Sequence, residues 1–429
     1  MKVRLPLTAL SAMVLCLFAC DLLRDNHFTE PSRSGSGRQG GKTPSEGNHP
    51  PKEEKPQSDT IVYVSAIRFP EGYDWQTDTL PESIPREIVL LKNGLVSCSV
   101  PVGYEFCASG DPDMHRILDG HLYSDFSLAS ETVILRDGAG CLRFSGREAM
   151  YGFLTDGGEN IWTLGQDRSG RGGVTLRKNG AAVFHDPSGF AFGSASRADA
   201  LFMNEGKVSF FYYRPEPGAL SQERRCFMVE ESLATEIVSE HKFSSVLDIK
   251  KSGGELMIAG LPSGKEGAIS ILAGNRLVTY KLDFYDRVGS CRIISGDGSD
   301  NVFLSGICYR FSNGKTASFF CDRTGQIDYL PTSDGLVEFF SGNGHLSVVK
   351  SFVNYKWISL VSDGKAVQID GRHSLISQRC GTFLGDEFYI GLNPRGEGAR
   401  PYIYTTAKKT EIDINGFITE VKISVEDKK

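Results

Sequence analysis

Beyond its first twenty residues the sequence has no apolar run long enough to cross a bilayer as a helix, so only the N-terminus offers a helical membrane segment. Tryptophan is scarce, with three residues in 429, and histidine contributes eight. His27, His49, His115, His121, His185, His241, His345 and His373 fall at no one-strand or one-turn spacing, so no metal-ligand pair is legible and no metal is expected. Cys-x-x-Cys and Gly-x-Ser-x-Gly are both missing, which removes the usual signs of a redox dithiol and of a nucleophile elbow. Basic residues are outnumbered, 47 against 53 acidic, and the net charge of −6 argues against nucleic acid as a partner. Long helical periodicity is also lacking, so the chain is not built on helices.

The N-terminus carries the strongest short signal. Lys2 and Arg4 precede an apolar stretch, Leu5–Phe18, too short for a lasting transmembrane anchor. Leu17-Phe18-Ala19-Cys20 then resembles the lipobox of bacterial lipoproteins, which implies that Cys20 is lipidated and becomes the mature N-terminus. Residues 21–59 form a Ser/Gly-rich and then Pro/Lys/Glu-rich tether with almost nothing apolar to bury, expected to be disordered. Gly35, Gly37 and Gly40 spell a dinucleotide-binding pattern, but no strand leads in and no helix follows, so no cofactor is read from them.

From Thr60 onward a repeat dominates. Between Asp300 and Gly335 short apolar runs (Val302–Gly306, Ala317–Cys321, Gln326–Leu330) are separated by Gly-, Asn- and Asp-bearing turns, the pattern of antiparallel strands. Strands with the same grammar restart at Asn160, Lys207, Glu255, Asn301, His345 and Asp386, at spacings of 41 to 48 residues. Two looser units begin at Thr60 and His121. A period in the forties with four strands per unit predicts an all-β propeller over residues 60–429, with eight blades. Seven is the alternative if the His121 run is a loop. Fourth-type strands precede most units, the Thr60 unit lacks one, and FITEVKISV (Phe417–Val425) is left over at the C-terminus. That strand is therefore expected to complete the first blade and close the ring, which removes exposed edges.

Val62-Tyr63-Val64 with Lys92-Asn93-Gly94, and again Arg177-Lys178-Asn179-Gly180, resemble the VYV…KNG repeats of uncharacterised Bacteroidetes-type lipoproteins. Leu91 and Arg177 stand where that pattern has an aromatic residue. The resemblance implies a propeller fold, a location in the bacterial cell envelope and no known catalysis; a lipid-anchored protein of this kind is expected on the outer membrane, facing either the periplasm or the surface. Asp59-Thr60-Ile61 and Asp78-Thr79-Leu80 resemble the O-glycosylation pattern of the same group.

The eight cysteines after Cys20 read as small buried hydrophobes. Only Cys98/Cys107 and Cys308/Cys321 are close enough in sequence to suggest adjacent strands. Asp297 to Asn301 reads as an inter-strand turn rather than a calcium loop. The Ser-x-Asp-x-Gly-x-x-Trp box of sialidase propellers and the tryptophan-docking repeat of quinoprotein propellers are absent. The loops inside the units, in contrast, pair aromatics with arginine or lysine: Arg68, Phe69, Tyr73 and Trp75; Tyr212, Tyr213 and Arg214; Tyr309, Arg310 and Phe311; Tyr355, Lys356 and Trp357. Alternating connections place these loops at one end of the blades and the tight turns at the other. Trp75, Tyr213, Arg310 and Trp357 are the candidate ligand-binding residues, through stacking on a sugar or pairing with an acidic group. The expected function is non-catalytic binding or scaffolding of a glycan, peptide or envelope protein. The alternative is a carbohydrate-active hydrolase or lyase using the same face, which would need two suitably spaced carboxylates.

Overall fold

The computed structural model describes 59–426 apart from segments between strands, the longest at 76–83, 103–114, 193–199 and 216–223; in parts of the strands from 302 to 375 it describes backbone alone. Cys20, the tether up to residue 58 and Cys107 lie outside the described residues, as do Asp78-Thr79 and 297–301. Every described element is a strand, and the strands form eight sheets of four consecutive antiparallel positions. In the third sheet these are Glu148–Thr155, Ile161–Asp167, Val174–Lys178 and Ala181–Asp186, from inner to outer. The second sheet covers 115–145, the fourth 190–237, the fifth 243–281, the sixth 287–331, the seventh 335–370 and the eighth 373–411. The His121 run is a strand, His121–Ser127, paired on both sides, which decides for eight sheets over seven among the described residues.

The first sheet is assembled from both ends of this region. Asp59–Arg68, Arg86–Lys92 and Leu95–Val102 supply three strands, and Gly416–Glu426 supplies the inner one, paired with Asp59–Arg68 along its length. The leftover C-terminal run thus occupies the slot the sequence left open.

Apolar side chains are buried between successive sheets rather than in one central core. One cluster joins the eighth sheet to the first (Tyr389, Ile403 with Val64, Val89, Ile418) and another the first to the second (Leu90, Val100 with Leu122, Phe126). Others join the second to the third, the third to the fourth, the fourth to the fifth and the fifth to the sixth. Sheets packed face to face in succession, with inner strands adjoining, are the blades of a β-propeller. Middle strands are covered on both faces, which explains continuous apolar runs such as Phe210, Phe211 and Tyr212, all buried. Each fully buried side chain of this kind contributes about 1.5–3 kcal/mol. Outer strands such as Leu233–Ile237 are mostly exposed.

Two sequence regularities acquire physical reasons. The glycine that ends several repeat strands faces a bulged inner strand: a Cβ on Gly260 would lie 2.5 Å from the Ser245 carbonyl oxygen, and on Gly306 2.1 Å from that of Ser290. Only hydrogen fits there. The Asn-Gly and Asp-Gly turns have positive φ at both central residues, 52° and 81° at Asn93 and Gly94, the geometry of two-residue hairpins. Their first residue also clamps the neighbouring strand. Asn93, Asp137 and Asn179 each donate a backbone N–H to the carbonyl of Val62, Leu122 or Ile161, at 2.8 Å. Their side-chain oxygens accept the N–H of the same residue at 2.8–2.9 Å. The next residue on that strand is aromatic and carries the basic residue that precedes the turn: Lys92 on Tyr63, Arg136 on Tyr123, Lys178 on Trp162, 5.1–6.0 Å from the ring centroids. The VYV…KNG spelling therefore encodes a blade-internal lock.

The seven described cysteines are free thiols. Cys308 and Cys321 lie on adjacent strands, but face Ala317 and Leu304 rather than each other. Thr60 is exposed, opposite Val425.

Candidate functional site

Up-and-down topology puts the start of each inner strand, the end of the second, the start of the third and the end of the outer strand at one end of a blade. The clamped turns occupy the opposite end. Trp75, Tyr213, Arg310 and Trp357 all sit at or beside the first kind of end, each from a different sheet.

In the first sheet the strand Asp59–Arg68 leads into a short described loop closed by the C-terminal strand. Asn415 anchors it by accepting the Phe69 N–H at its carbonyl and donating its side-chain N–H to the carbonyls of Pro70 (2.6 Å) and Tyr73 (3.0 Å). Trp75 lies near-parallel to Phe69, 6.4 Å between centroids at 13°, and 5.1 Å from Phe417. Phe69 is buried; Trp75 and Tyr73 keep part of their surface open. Offset aromatic pairs of this kind add about 0.5–1.5 kcal/mol beyond burial and fix the indole in place.

Tyr213 lies near the end of the second strand of the fourth sheet, Lys207–Pro215. Phe190 stacks on it at 5.5 Å and 18°, and Phe192 leans on it at 5.0 Å. The Arg224 guanidinium lies 4.2 Å from the Tyr213 ring centroid and donates from Nη1 to the Val246 carbonyl of the fifth sheet at 2.8 Å. On the other face of the same hairpin, Arg214 and Arg225 stand directly opposite each other and share the Phe227 ring, at 5.0 and 5.6 Å. Like charges facing across strands are destabilising. Here Asp186 meets Arg214 (2.6 Å) and Glu236 meets Arg225. Tyr212, expected on the loop surface, is instead fully buried against Phe227 and Phe184, because strand alternation turns it into the blade interface. Burial and the adjoining Asp186 push its phenol up to about 12.

Arg310 closes the strand Val302–Arg310 in the sixth sheet, opposite Lys315, and is half-buried. It faces the Tyr285 phenol, which burial pushes up and Arg310 pulls partly back. Beside it Tyr309 is exposed, and a Cβ on Gly289 would meet its ring at 2.0 Å, so only glycine leaves room for the ring there. Trp357 opens the strand Trp357–Ser362 opposite Asp370; its side chain, with Tyr355 and Lys356, lies outside the described residues. Among the described residues no hydrogen bond, ion pair or ring contact joins Trp75, Tyr213 and Arg310 to one another; Trp75 packs within its own sheet, and Tyr213 within its own sheet under Arg224.

Three carboxylates at this end, Glu87, Asp186 and Glu236, each meet an arginine. The Arg68 side chain, with Ser99 adding to it, holds Glu87 below the usual carboxylate range against a smaller opposing effect of burial. Burial pushes Asp186 up, but the Arg214 guanidinium and the Ser188 N–H together outweigh it and hold the group low. Arg225 lowers Glu236. The deeply buried Glu420 is different: burial raises it, with Arg379 3.6 Å away and the Ile117 N–H donating to it at 2.9 Å. It joins the eighth, first and second sheets, and Asp248 makes the same bond to the Ile293 N–H between the fifth and sixth, at 2.7 Å. Among the described residues no group of three or more His, Cys, Asp or Glu side chains converges as a metal site would.

Sequence reasoning missed Arg224, Phe190 and Asp186. The Arg224-Arg225 pair at a strand start was visible, but which face each guanidinium takes depends on register.

No family model and no curated sequence matches this chain. Among solved structures it is similar to the β-propeller domain of the Trilobed protease from Pyrococcus furiosus, at 9% identity and TM-score 0.34 over 62% of this chain and 82% of that one. BamB from Moraxella catarrhalis gives 12% and 0.30 over 65% and 93%, and an acylaminoacyl peptidase from Pyrococcus horikoshii 10% and 0.37 over 70% and 52%. At these values the chemistry of the loop end has to come from this chain's own residues.

Proposed function

We propose that this chain is a lipid-anchored protein of the bacterial cell envelope whose propeller binds or scaffolds a glycan, peptide or partner protein at its loop end, without catalysis. The observation that supports this most is the set of partly open aromatic and guanidinium groups at that end (Trp75, Tyr213, Arg310), each braced by ring stacking or by a rigid strand. Pre-fixed rings and cations lose little freedom when a ligand docks, so each contact yields about 0.5–2 kcal/mol. A hydrolase or lyase on the same face would need two carboxylates opposed across a gap. Glu87, Asp186 and Glu236 are each engaged with an arginine instead.

Probing an array of glycans and envelope proteins with the full chain tests the binding role. Hits are expected to weaken by several-fold in Trp75→Ala, Tyr213→Ala, Arg310→Ala and Trp357→Ala. A hit indifferent to all four would move the site elsewhere, and turnover of any glycan would refute the non-catalytic reading. Anchoring through Cys20 is tested separately: Cys20→Ala should leave the membrane fraction, and a wild-type protein already found in the aqueous phase would refute it.

A further inference from the structure

Exposed apolar side chains are not shared evenly between the two ends of the blades. Of the eight large hydrophobic residues exposed among the described residues, Leu95, Val96, Met203, Leu233, Leu277 and Val425 lie at the clamped-turn end, and only Ile307 and Tyr309 lie toward the loop end. Leu95 and Leu233 are the most open, at 76% and 67%. Both hold the same place, the first residue of an outer strand directly after the turn. The second and third sheets carry exposed Ala139 and Ala181 there, and the fifth has Leu277 one residue further on. Met203 and Val425 add apolar surface on the inner hairpins of the fourth and first sheets. Turn chemistry constrains the positive-φ residues before this position and asks for nothing apolar at it. Single exposed hydrophobes need no explanation, but their return at one position of successive blades does.

The course of the chain indicates what covers this end. Asp59, the first described residue, pairs with Glu426 on the outermost rung there, so residues 1–58, with the Leu17–Cys20 motif, join the propeller at the turn end and not at the loop end. A protein partner needs one continuous patch, whereas these side chains sit on separate blades whose turn ends lie on one side of the molecule. A plane can touch them all, and a bilayer interface is such a plane. By composition residues 21–58 are a tether with an r.m.s. reach of about 35 Å, short enough to keep a weak surface contact engaged once Cys20 carries lipid. Charge does not set the attraction: among the described residues of this end Lys92, Lys207 and Arg276 are offset by Asp119, Glu205 and Glu231.

We propose that the turn end is a membrane-docking face: Leu95, Met203, Leu233, Leu277 and Val425 rest in the headgroup region of the bilayer that holds the lipid anchor, and the loop end points away from it. This rests on the Cys20 anchor and gives the loop-end binding role its orientation. The contact is apolar, so it depends little on salt or on anionic lipid. It is also weak by itself, because a few side chains bury far less apolar area than an acyl chain, and Cys20→Ala protein still leaves the membrane fraction.

Hydroxyl-radical footprinting of the lipidated full chain on vesicles of phosphatidylethanolamine and phosphatidylglycerol, compared with the Cys20→Ala chain in solution, tests the assignment. Modification of Leu95, Met203 and Leu233 is expected to fall about threefold or more on vesicles, while that of exposed Tyr309 stays unchanged. Raising the salt, or replacing phosphatidylglycerol by phosphatidylcholine, should leave this protection intact. Leu95→Ser combined with Leu233→Ser should restore the modification of Met203 without releasing the protein from the vesicles. Equal protection of Met203 and Tyr309, no protection of either, or protection that salt removes would overturn the docking face. So would a turn end already protected in the Cys20→Ala chain, which would point to a second copy as its cover. A wild-type chain with no lipid on Cys20 by mass spectrometry would remove the anchor and this proposal together, whereas a lipidated chain without turn-end protection would remove the docking face and leave the anchor. The footprint needs only the wild-type chain and a change outside the propeller, so it decides the matter even if the double variant misfolds.

Discussion

The two ends of the blades use the same chemistry, a cation on an aromatic ring, to different effect. At the turn end the pairing is cross-strand and in register, Lys92 with Tyr63, Arg136 with Tyr123 and Lys178 with Trp162, and it recurs with the same clamp of Asn or Asp onto the next strand. At the loop end it is out of register and, among the described residues, confined to the fourth sheet: Arg214 and Arg225 on Phe227, and Arg224 on Tyr213, the last tied to a neighbouring sheet. Repetition marks what every blade needs in order to form. A feature one blade has alone is free to serve something else.

The largest effect should come from breaking the frame that both ends share. Deleting Phe417–Lys429 removes the inner strand of the first sheet and with it buried Ile418 and Val421, the Asn393 bonds to Ile418, and Glu420. Loss of a cooperative thermal transition, or aggregation through the newly exposed edge of Asp59–Arg68, is expected. An unchanged melting curve would show that this strand closes nothing.

Within that strand, Glu420→Ala leaves the buried Arg379 without its carboxylate and should cost about 3–5 kcal/mol in denaturant unfolding. The pH profile gives a sharper test. Burial raises Glu420 above its ordinary value of 4.5, so its contribution is full below that value and is lost as pH rises through the raised one. Asp186 is held below its ordinary 3.8, so its contribution is present above 3.8 and lost as pH falls through the lowered value. Melting temperatures from pH 3 to about 8 should therefore lose part of their high-pH decline in Glu420→Gln and part of their low-pH decline in Asp186→Asn. Parallel curves for wild type and both variants would contradict these assignments.

A smaller effect is expected from the clamp. Asn179→Ala removes the acceptor for the Ile161 N–H and places alanine at φ of 51°, together about 1–2 kcal/mol, measured by urea unfolding. Asn93→Ala should match it if the clamp is a repeated structural device. Divergence between them would weaken the contrast with the loop end.

Least of all should Arg224→Gln disturb stability, by under about 1 kcal/mol, since a half-exposed cation on a ring contributes little to folding. A drop as large as that of Asn179→Ala would place Arg224 with the structural locks.

Strand content, period, blade count and the place of Phe417–Val425 were legible from the chain because each depends on local spelling. Gly-bearing turns, apolar runs and one unpaired strand carry that information. The aromatic–basic loops were legible as loops, yet Tyr212 and Tyr213, adjacent in sequence, part company in the fold. Strand alternation buries Tyr212 between sheets and leaves Tyr213 partly open under Arg224. Which of two neighbours faces the interface depends on register with Arg224–Glu230 and on the packing of the third and fifth sheets, and neither is written in the pair itself. The same holds for charge. Sequence counts three arginines near one hairpin, but only the approach of Asp186 from another blade and Glu236 from the next strand shows which two are matched by a carboxylate among the described residues. Local pattern determined the blades; the meeting of different blades decided which side chains are left to act.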